Sequence, residues 1–123
     1  MKYIHTDKAP KAVGPYSQAI VSGDLIFCSG QIGIDPSVGS LVEGIEGQTK
    51  QVLENLKAVL EEANFSLEKV VKCTVYLSDI NDYVKMNEIY GQYFSNHKPA
   101  RAAFAVATLP LNALVEIEVI AVK

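Results

Sequence analysis

The sequence predicts an α+β fold in which two helices cover one face of a single, mostly antiparallel or mixed sheet. Residues 45–63 and 79–94 repeat apolar side chains at helical spacing, and shorter alternating segments typical of strands precede, separate and follow them. With 49% hydrophobic residues in 123, the chain has enough apolar material for one core. Because both helices must bury their apolar stripes, we expect a single two-layer domain over residues 1–123.

The first segments combine a weak strand with a rigid turn. Residues 2–6 alternate weakly, and residues 7–14 are predicted to form a loop. Pro15 fixes its own φ angle and biases Gly14 toward an extended conformation, so Tyr16 is expected beside a rigid turn. A tyrosine in such a place most often packs its ring and leaves its hydroxyl in water, which is a structural role.

Two apolar runs, Ala19–Ser22 and Leu25–Ser29, predict a β-hairpin. Gly23-Asp24 separates them, and glycine at the first turn position suits a type II′ turn. Ser29-Gly30-Gln31 is predicted to end the second strand, and a Ser-Gly pair there could offer a hydroxyl and free backbone N–H groups to an anion. Most Ser-Gly pairs are only turns, so the pair by itself indicates little.

The helix predicted over residues 45–63 is the clearest element of the sequence. Its glutamates and lysines lie on one side and indicate a solvated face. The opposite side is apolar and must cover a sheet or another helix. The apolar stripe consists of Ile45, Thr49, Val52, Leu53, Leu56, Val59, Leu60 and Ala63.

The alternation in residues 70–77 predicts a strand between the two helices. Val71, Cys73, Val75 and Leu77 are expected to pack under the first helix. The other set is half polar and is expected to meet a wet cleft or another subunit. Both Cys73 and the chain's other cysteine, Cys28, lie in apolar runs outside any CxxC pattern, which favours buried free thiols over a disulfide.

The second helix, predicted over residues 79–94, carries an aromatic stripe and one amide. Asp79 or Asn81 is expected to cap it. The aromatic residues at helical spacing are expected in the core. Asn87 shares their face and is either a partly buried amide that fixes a neighbouring loop or a ligand contact, and the spacing favours the loop-fixing role.

The last quarter of the chain holds the charges with the clearest chemical meaning. Arg101 shares a predicted strand face with three alanines, so its guanidinium could border a cavity and bind a carboxylate. Glu116 and Glu118 share a face of the last predicted strand. Each could pair with Arg101 or a lysine, which is the favoured role for Glu118, or could hold and activate a water. The spacing alone does not separate these roles.

Charge and missing motifs exclude several classes of function. A net charge of −3 and a pI of about 5.3 weigh against a nucleic-acid footprint, and no apolar run has the length of a membrane span. The two histidines suggest no metal site, and phosphate-binding and serine-hydrolase motifs are missing. We therefore expect a soluble cytoplasmic protein without a metal. The sheet face that no helix covers predicts self-association.

Several motifs, taken in order, resemble the RidA/YjgF family of enamine/imine deaminases. The match covers essentially the whole chain, and its short pieces are together highly specific. They are Ala9-Pro10, Gly14-Pro15-Tyr16-Ser17-Gln18, Ser29-Gly30-Gln31, Gln48 with Asn55-Leu56, Val71 to Val75, Asn87-Glu88-Ile89-Tyr90, Pro99 to Leu109, and Val115-Glu116-Ile117.

This resemblance implies a chorismate-mutase-like fold and a cofactor-free hydrolase. The family is homotrimeric, with the sheets forming a central barrel, the helices outside, and three clefts between subunits. Its activity is that of a 2-iminobutanoate/2-iminopropanoate deaminase. Such an enzyme hydrolyses 2-aminoacrylate or its 2-imino acid tautomer, released by pyridoxal-phosphate-dependent dehydratases, to a 2-oxo acid and ammonia.

The resemblance also assigns expected roles to individual residues. Arg101 matches the family arginine that binds the substrate carboxylate, and Glu116 matches the glutamate that positions the attacking water. Four residues match those lining the cleft: Tyr16, Ser29, Gly30 and Asn87. Ala102-Ala103 departs from the family's common Ser-Cys, so Ala103 is the contact position where substrate preference is expected to differ.

Two other functions remain open at the level of sequence. One is a non-enzymatic regulatory trimer that binds a small acid in the same cleft without turnover. The other is a ribonuclease or translation inhibitor, a label that the family has carried. The acidic pI and the lack of a basic patch weigh against the second, because phosphate contacts need lysine and arginine.

Overall fold

A computed structural model describes all residues, 1–123, as an α+β fold with a mixed sheet and two helices. The main sheet has six strands in the order β1-β2-β3-β8-β6-β7. All neighbouring strands in it are antiparallel except β6 and β7, which are parallel. The elements are β1 Lys2–Ile4, β2 Ala19–Ser22, β3 Leu25–Ile32, β4 Ile34–Asp35, β5 Ser40–Leu41, α1 Ile45–Glu62, β6 Val70–Leu77, α2 Tyr83–Tyr93, β7 Ala100–Ala105 and β8 Val115–Val122.

Both helices lie on one face of the six-stranded sheet, as the apolar stripes predict. Helix α1 packs on β3 and β8, and α2 packs against α1. The predicted stripe of α1 is buried from Ile45 to Leu60, whereas Ala63 follows the end of the helix and is half-buried. No helix of the structure is both long enough and apolar enough to cross a membrane.

The β2–β3 hairpin forms as predicted, but its second strand is longer than expected. Gly23 has φ 60°, as a glycine at the first position of a type II′ turn requires. The strand was predicted to end at Ser29-Gly30-Gln31, whereas β3 runs through these residues to Ile32. The register against β8 shifts between Cys28 and Gln31, so Ser29-Gly30 forms a β-bulge inside the strand.

A second irregularity changes which residues of β6 face the helices. Cys73, Val75 and Leu77 are fully buried, as the alternation predicts. The placement of Val71 beside them is wrong, because Val71 is 42% exposed and Val70 is buried in its place. The register against β8 shifts between Val70 and Lys72, and this bulge inverts the alternation at the start of the strand.

Two short elements differ from the predicted boundaries. The two-strand hairpin of β4 and β5 was not predicted; it stands apart from the main sheet, and residues 36–39 connect its strands. The second helix begins at Tyr83 and not at residue 79, because Ile80–Asp82 form a 3-10 turn. The predicted cap is present on this turn, since the Asp79 carboxylate accepts a hydrogen bond of 2.9 Å from the Asn81 N–H.

The sheet face opposite the helices carries exposed large apolar side chains. Phe27 and Phe104 are each more than 40% exposed, and β7, which carries Phe104, is an edge strand. The two cysteines lie on the helix side and are buried and free, as expected. Burial raises the pKa of the Cys28 thiol to about 12 and that of Cys73 to about 11, so both stay protonated at neutral pH.

Candidate active site

Glu116 lies at the wall of an open cleft on the face of the sheet that the helices leave uncovered. The cleft has a volume of about 500 Å³, and Tyr16, Ser29 and Gly30 line it together with Glu116. Four predicted site residues are therefore brought together by segments far apart in sequence. The loop before β2 supplies Tyr16, the bulge of β3 supplies Ser29 and Gly30, and β8 supplies the glutamate.

Gly30 leaves the space that the Glu116 carboxylate occupies. A Cβ atom on Gly30 would collide with the Oε2 atom of Glu116 and lie 2.9 Å from its carboxyl carbon. The backbone of Gly30 is not in the left-handed region, so the requirement for glycine is one of space. The β3 bulge thus brings a residue without a side chain against the glutamate of the neighbouring strand.

Hydrogen bonds fix the loop that carries Tyr16 against β3. The Ser29 hydroxyl donates to the Ser17 carbonyl at 2.6 Å, and the Ser29 N–H donates to the Gln18 carbonyl at 2.9 Å. The buried Gln18 side chain accepts from the Thr6 N–H at 2.7 Å and donates to the Pro10 carbonyl at 2.8 Å. Tyr16 itself is 51% exposed, so its side chain is available to a ligand.

The surroundings of Glu116 favour its protonated form more than water does. Burial raises the pKa of Glu116, and the nearby negative charge of Glu118 raises it further. Glu118 in turn accepts a hydrogen bond of 2.7 Å from the Tyr76 hydroxyl. That bond, with burial as a smaller cause, raises the pKa of Tyr76 to about 12. A raised pKa makes the ionised carboxylate a stronger base, which suits it to proton transfer with a bound substrate.

The predicted ion pair of Glu118 with Arg101 or a lysine is wrong. No lysine or arginine lies within bonding distance of a carboxylate, and the one histidine–carboxylate pair, His5 and Asp7, is a 3.1 Å contact on the surface. Glu118 has the Tyr76 hydroxyl as its partner instead. Neither glutamate of β8 therefore neutralises Arg101 within the chain.

Arg101 lies in a second cleft, which α2 builds with the edge strand β7. The guanidinium donates from Nη1 to the Asn87 side-chain oxygen at 2.7 Å and from Nη2 to the Tyr83 hydroxyl at 2.8 Å. Its central carbon lies 4.8 Å from the centre of the Tyr90 ring, in the range of a cation–π contact. The cleft has a volume of about 380 Å³ and is also lined by Lys98.

The partners of Asn87 differ from the favoured expectation. Its side-chain oxygen accepts a hydrogen bond from the guanidinium of Arg101, so the amide orients the arginine and does not fix a loop. Hydrogen bonding to Asn87, followed by the positive charge of Arg101, lowers the pKa of Tyr83. The buried Tyr90 hydroxyl has no hydrogen-bond partner, and desolvation raises its pKa. Tyr83 and Tyr90 both contact Arg101, whereas the sequence pattern predicted only that they belong to an aromatic stripe in the core.

The two clefts open on opposite faces of the sheet. Arg101 is paired in register with Cys73, whose side chain is buried under the helices. Glu116 is paired with Tyr76, which is on the opposite face of the same strand. One chain therefore does not bring Arg101 and Glu116 together. Ala103 packs against the core on the helix side and lines neither cleft.

Two buried amides that the sequence offered only as family matches hold the walls of the Glu116 cleft. The Asn55 amide donates to the carbonyls of Ile32 and Ile34, at 3.3 and 2.9 Å. The Gln48 side chain accepts from the Leu114 N–H at 2.8 Å, just before β8. Gln48 and Asn55 lie inside or beside the apolar stripe of α1, and this position was the only signal in the sequence that their side chains are buried.

Comparison with known proteins gives a match along nearly the whole chain. A family model described as endoribonuclease L-PSP matches residues 6–123. A RutC family protein of Pyrococcus horikoshii is 57% identical over 98% of this chain and 96% of its own length. The human 2-iminobutanoate/2-iminopropanoate deaminase is 50% identical over 99% of this chain and 90% of its own length.

Solved structures share the fold as well as the sequence. The crystal structure of TdcF from E. coli with bound serine superposes with a TM-score of 0.96 and 40% sequence identity. The match covers 100% of this chain and 99% of that one. Identity at this level over full length indicates common ancestry and a common fold.

Proposed function

Because the chain belongs to the endoribonuclease L-PSP family, which is the YjgF/RidA family, we propose that it hydrolyses reactive 2-imino acids to 2-oxo acids and ammonia. The observation that carries the proposal is the Glu116 carboxylate, seated against Gly30 in an open cleft with its pKa raised. The human relative, a 2-iminobutanoate/2-iminopropanoate deaminase, supports the same class of reaction.

Arg101 is proposed to bind the carboxylate of the substrate. It is the only arginine of the sequence, and Asn87 and Tyr83 hold its guanidinium without neutralising the charge. A planar guanidinium can donate two parallel hydrogen bonds to a carboxylate. The serine bound by the E. coli relative supports this ligand class, because an amino acid carries the same carboxylate as a 2-imino acid.

Glu116 is proposed to position and deprotonate the attacking water. The water gives a proton to Glu116 while its oxygen bonds to C2 of the iminium, and the C=N electron pair moves to nitrogen. Glu116 then passes the proton to the nitrogen of the tetrahedral intermediate. The Glu116 carboxylate, ionised again, takes the proton of the hydroxyl as the C–N bond breaks and ammonia leaves. It then returns that proton to ammonia, and the products are a 2-oxo acid and ammonium. General acid–base assistance of this kind contributes about 10²–10⁴ in rate.

We further propose that the active site forms between copies of the chain in a homotrimer with a central barrel. Arg101 and Glu116 lie on opposite faces of one sheet, so a substrate touching both needs an arginine from a second copy. The uncovered apolar face, with Phe27 and Phe104 exposed, supplies a surface for that association. The three clefts of such a trimer would each combine one Arg101 with one Glu116.

The proposed reaction needs no cofactor of its own, because an iminium carbon is already electrophilic. The imines and enamines would come from enzymes such as the pyridoxal-phosphate-dependent dehydratases. A ribonuclease role has weaker support. The net charge is −3, and the one cation lining the Glu116 cleft is Lys11, whereas phosphate contacts need clustered positive charge.

A coupled assay tests the proposal. A serine or threonine dehydratase generates the enamine in place, and 2-oxo acid is followed with and without the protein. We expect acceleration by the wild type and by Lys50→Ala, which changes an exposed cation of α1. Arg101→Ala should reduce kcat/KM about tenfold to a hundredfold, as expected for the loss of a charged hydrogen bond. No acceleration by the wild type, or equal acceleration by Arg101→Ala, would refute the proposal.

A further inference from the structure

Three exposed side chains with large apolar surfaces border the Glu116 cleft. Val13 is 85% exposed, Leu111 is 69% exposed and the Tyr16 ring is half-exposed, although all three line a concave surface. Val13 lies between β1 and β2 and Leu111 between β7 and β8, so the cleft brings them together from distant segments. Exposed apolar side chains gathered at one cleft indicate a ligand-binding surface.

Leu111 is held in a backbone conformation that its side chain disfavours. It has φ 56° and ψ 24°, and Asn112 follows with φ 57°, so two consecutive residues other than glycine are left-handed. The surrounding turn keeps them there. Its hydrogen bonds run from the Asn112 N–H to the Leu109 carbonyl at 3.1 Å and from the Ala113 N–H to the Pro110 carbonyl at 3.0 Å. Strained residues of this kind concentrate at ligand sites.

The end of the same turn is tied to helix α1. The buried Gln48 side chain accepts a hydrogen bond from the Leu114 N–H, and Ala113 is fully buried beside it. These hydrogen bonds fix the backbone of the turn, and the Leu111 side chain projects from it to line the cleft.

The cleft is larger than the smallest imino acids need. At about 500 Å³ it falls within the range of about 300–1,000 Å³ in which pockets hold ligands of many atoms. Its polar part is the Glu116 carboxylate beside the Ser29-Gly30 bulge. Its apolar part includes Ile32 and Ile34 in addition to the two exposed side chains.

We propose that Val13 and Leu111 form an apolar subsite that selects 2-imino acids with a branched aliphatic side chain over the smallest ones. The inference rests on the proposed function, because it takes Glu116 as the end of the cleft where the imine reacts. With the imine carbon at Glu116, the substituent on C3 would extend along the apolar wall. Burying that substituent against two otherwise hydrated side chains removes apolar surface from water and favours the larger substrate.

The test compares imines made in place from leucine and from alanine by an amino acid oxidase, with 2-oxo acid formation as the readout. The wild type should have the higher kcat/KM for the leucine imine. Leu111→Ala should lower that value about tenfold, in the range for one or two methylenes in an apolar pocket, and leave the alanine imine within about twofold. Val38→Ala is the matched control, because Val38 is 71% exposed on the β4–β5 turn outside the cleft.

A binding measurement separates this inference from the proposed function. Calorimetry with 4-methyl-2-oxopentanoate and pyruvate, the stable products, should show tighter binding of the branched acid by the wild type and a smaller difference in Leu111→Ala. If that binding preference is seen without any turnover, the proposed function fails and the subsite stands. Equal binding of the two acids, equal loss for both imines, or a change of oligomeric state in Leu111→Ala would overturn the subsite. The last result would show that a second copy covers Leu111.

Discussion

Arg101 and Glu116, the two residues to which the proposed reaction gives the main roles, point to opposite faces of one sheet. The register places Arg101 beside Cys73, under helix α2, and Glu116 beside Tyr76, on the uncovered face. Neither residue has an ionic partner within the chain. Each cleft therefore presents one half of a site.

Gly30→Ala is expected to abolish most of the activity by displacing the Glu116 carboxylate. The added methyl group would occupy the place of the Oε2 atom, so the carboxylate must rotate away. Loss of a positioned general base costs about 10²–10⁴ in rate, and kcat should carry the loss. The deaminase assay with purified variants measures it.

Gly47→Ala is the matched control for Gly30→Ala. Gly47 lies in α1, and a Cβ there would meet Val42 at an ordinary distance of 3.6 Å. This variant should keep full activity and gain stability through its higher helix propensity, by about 1 kcal/mol or less. An active Gly30→Ala enzyme would show that the position of the Glu116 carboxylate is not needed.

Asn87→Ala is expected to weaken substrate binding through Arg101. The Asn87 oxygen is 2.7 Å from Nη1 of Arg101, and its loss frees the guanidinium to turn away from the substrate carboxylate. We expect KM to rise about tenfold, the size of one charged hydrogen bond, with little change in kcat. Asn96→Ala, at an exposed position after α2, is the control. A fall in kcat at unchanged KM would contradict a role through substrate binding.

Glu116→Gln is expected to raise the thermal unfolding midpoint at neutral pH. The pKa of Glu116 is higher in the folded chain than in the unfolded one, because burial and Glu118 disfavour its charge. The protonated Glu116 carboxyl therefore makes its full contribution to stability at pH values below its unfolded-state pKa of about 4.3. That contribution is lost as the pH rises through its folded-state pKa. The neutral amide avoids that loss at pH 7.

The advantage of Glu116→Gln should disappear as the pH falls below about 4, where the wild-type carboxyl is also neutral. Scanning calorimetry of both proteins from acidic to neutral pH measures the difference. The exposed Glu88→Gln provides the matched control for removing one negative charge. If the Glu116→Gln variant were less stable than the wild type at pH 7, the claim that burial and Glu118 disfavour the ionised form of Glu116 would be wrong.

Asn55→Ala is expected to lower the free energy of unfolding by about 1–3 kcal/mol, because two carbonyls beside the cleft lose a buried donor. Gln51→Ala removes the neighbouring amide, which donates only to the Asn55 side chain, and should cost less. Urea unfolding of the two variants measures both effects. Equal losses would indicate that the helix, and not the contact with β3, is affected.

The sequence predicted the elements of the fold more accurately than their irregularities. The stripe from Ile45 to Leu60 sets the position of α1 by its periodicity, and Gly23-Asp24 sets the hairpin by its turn chemistry. The bulges at Ser29-Gly30 and Val70-Val71 were missed. A bulge depends on how a strand pairs with its neighbour, and nothing in either segment alone encodes that register.

The site was predictable as a set of residues and not as an arrangement. Alternation shows which residues of one strand share a face, but it does not relate the faces of β7 and β8, which are separated in the sheet by β6. The opposite orientations of Arg101 and Glu116 follow only from the register. The partner of Glu118 was also missed, since Tyr76 gave no signal beyond its place in a half-polar strand face.

The most direct test of the shared site is complementation between two inactive variants. Arg101→Ala and Glu116→Gln chains are unfolded, mixed in equal amounts and refolded together, and deaminase activity is compared with each variant refolded alone. If each cleft takes its arginine and its glutamate from different copies, random mixing restores both residues in about a quarter of the clefts. We expect activity near that fraction of the wild-type value. A mixture no more active than the separate variants would contradict a site shared between subunits.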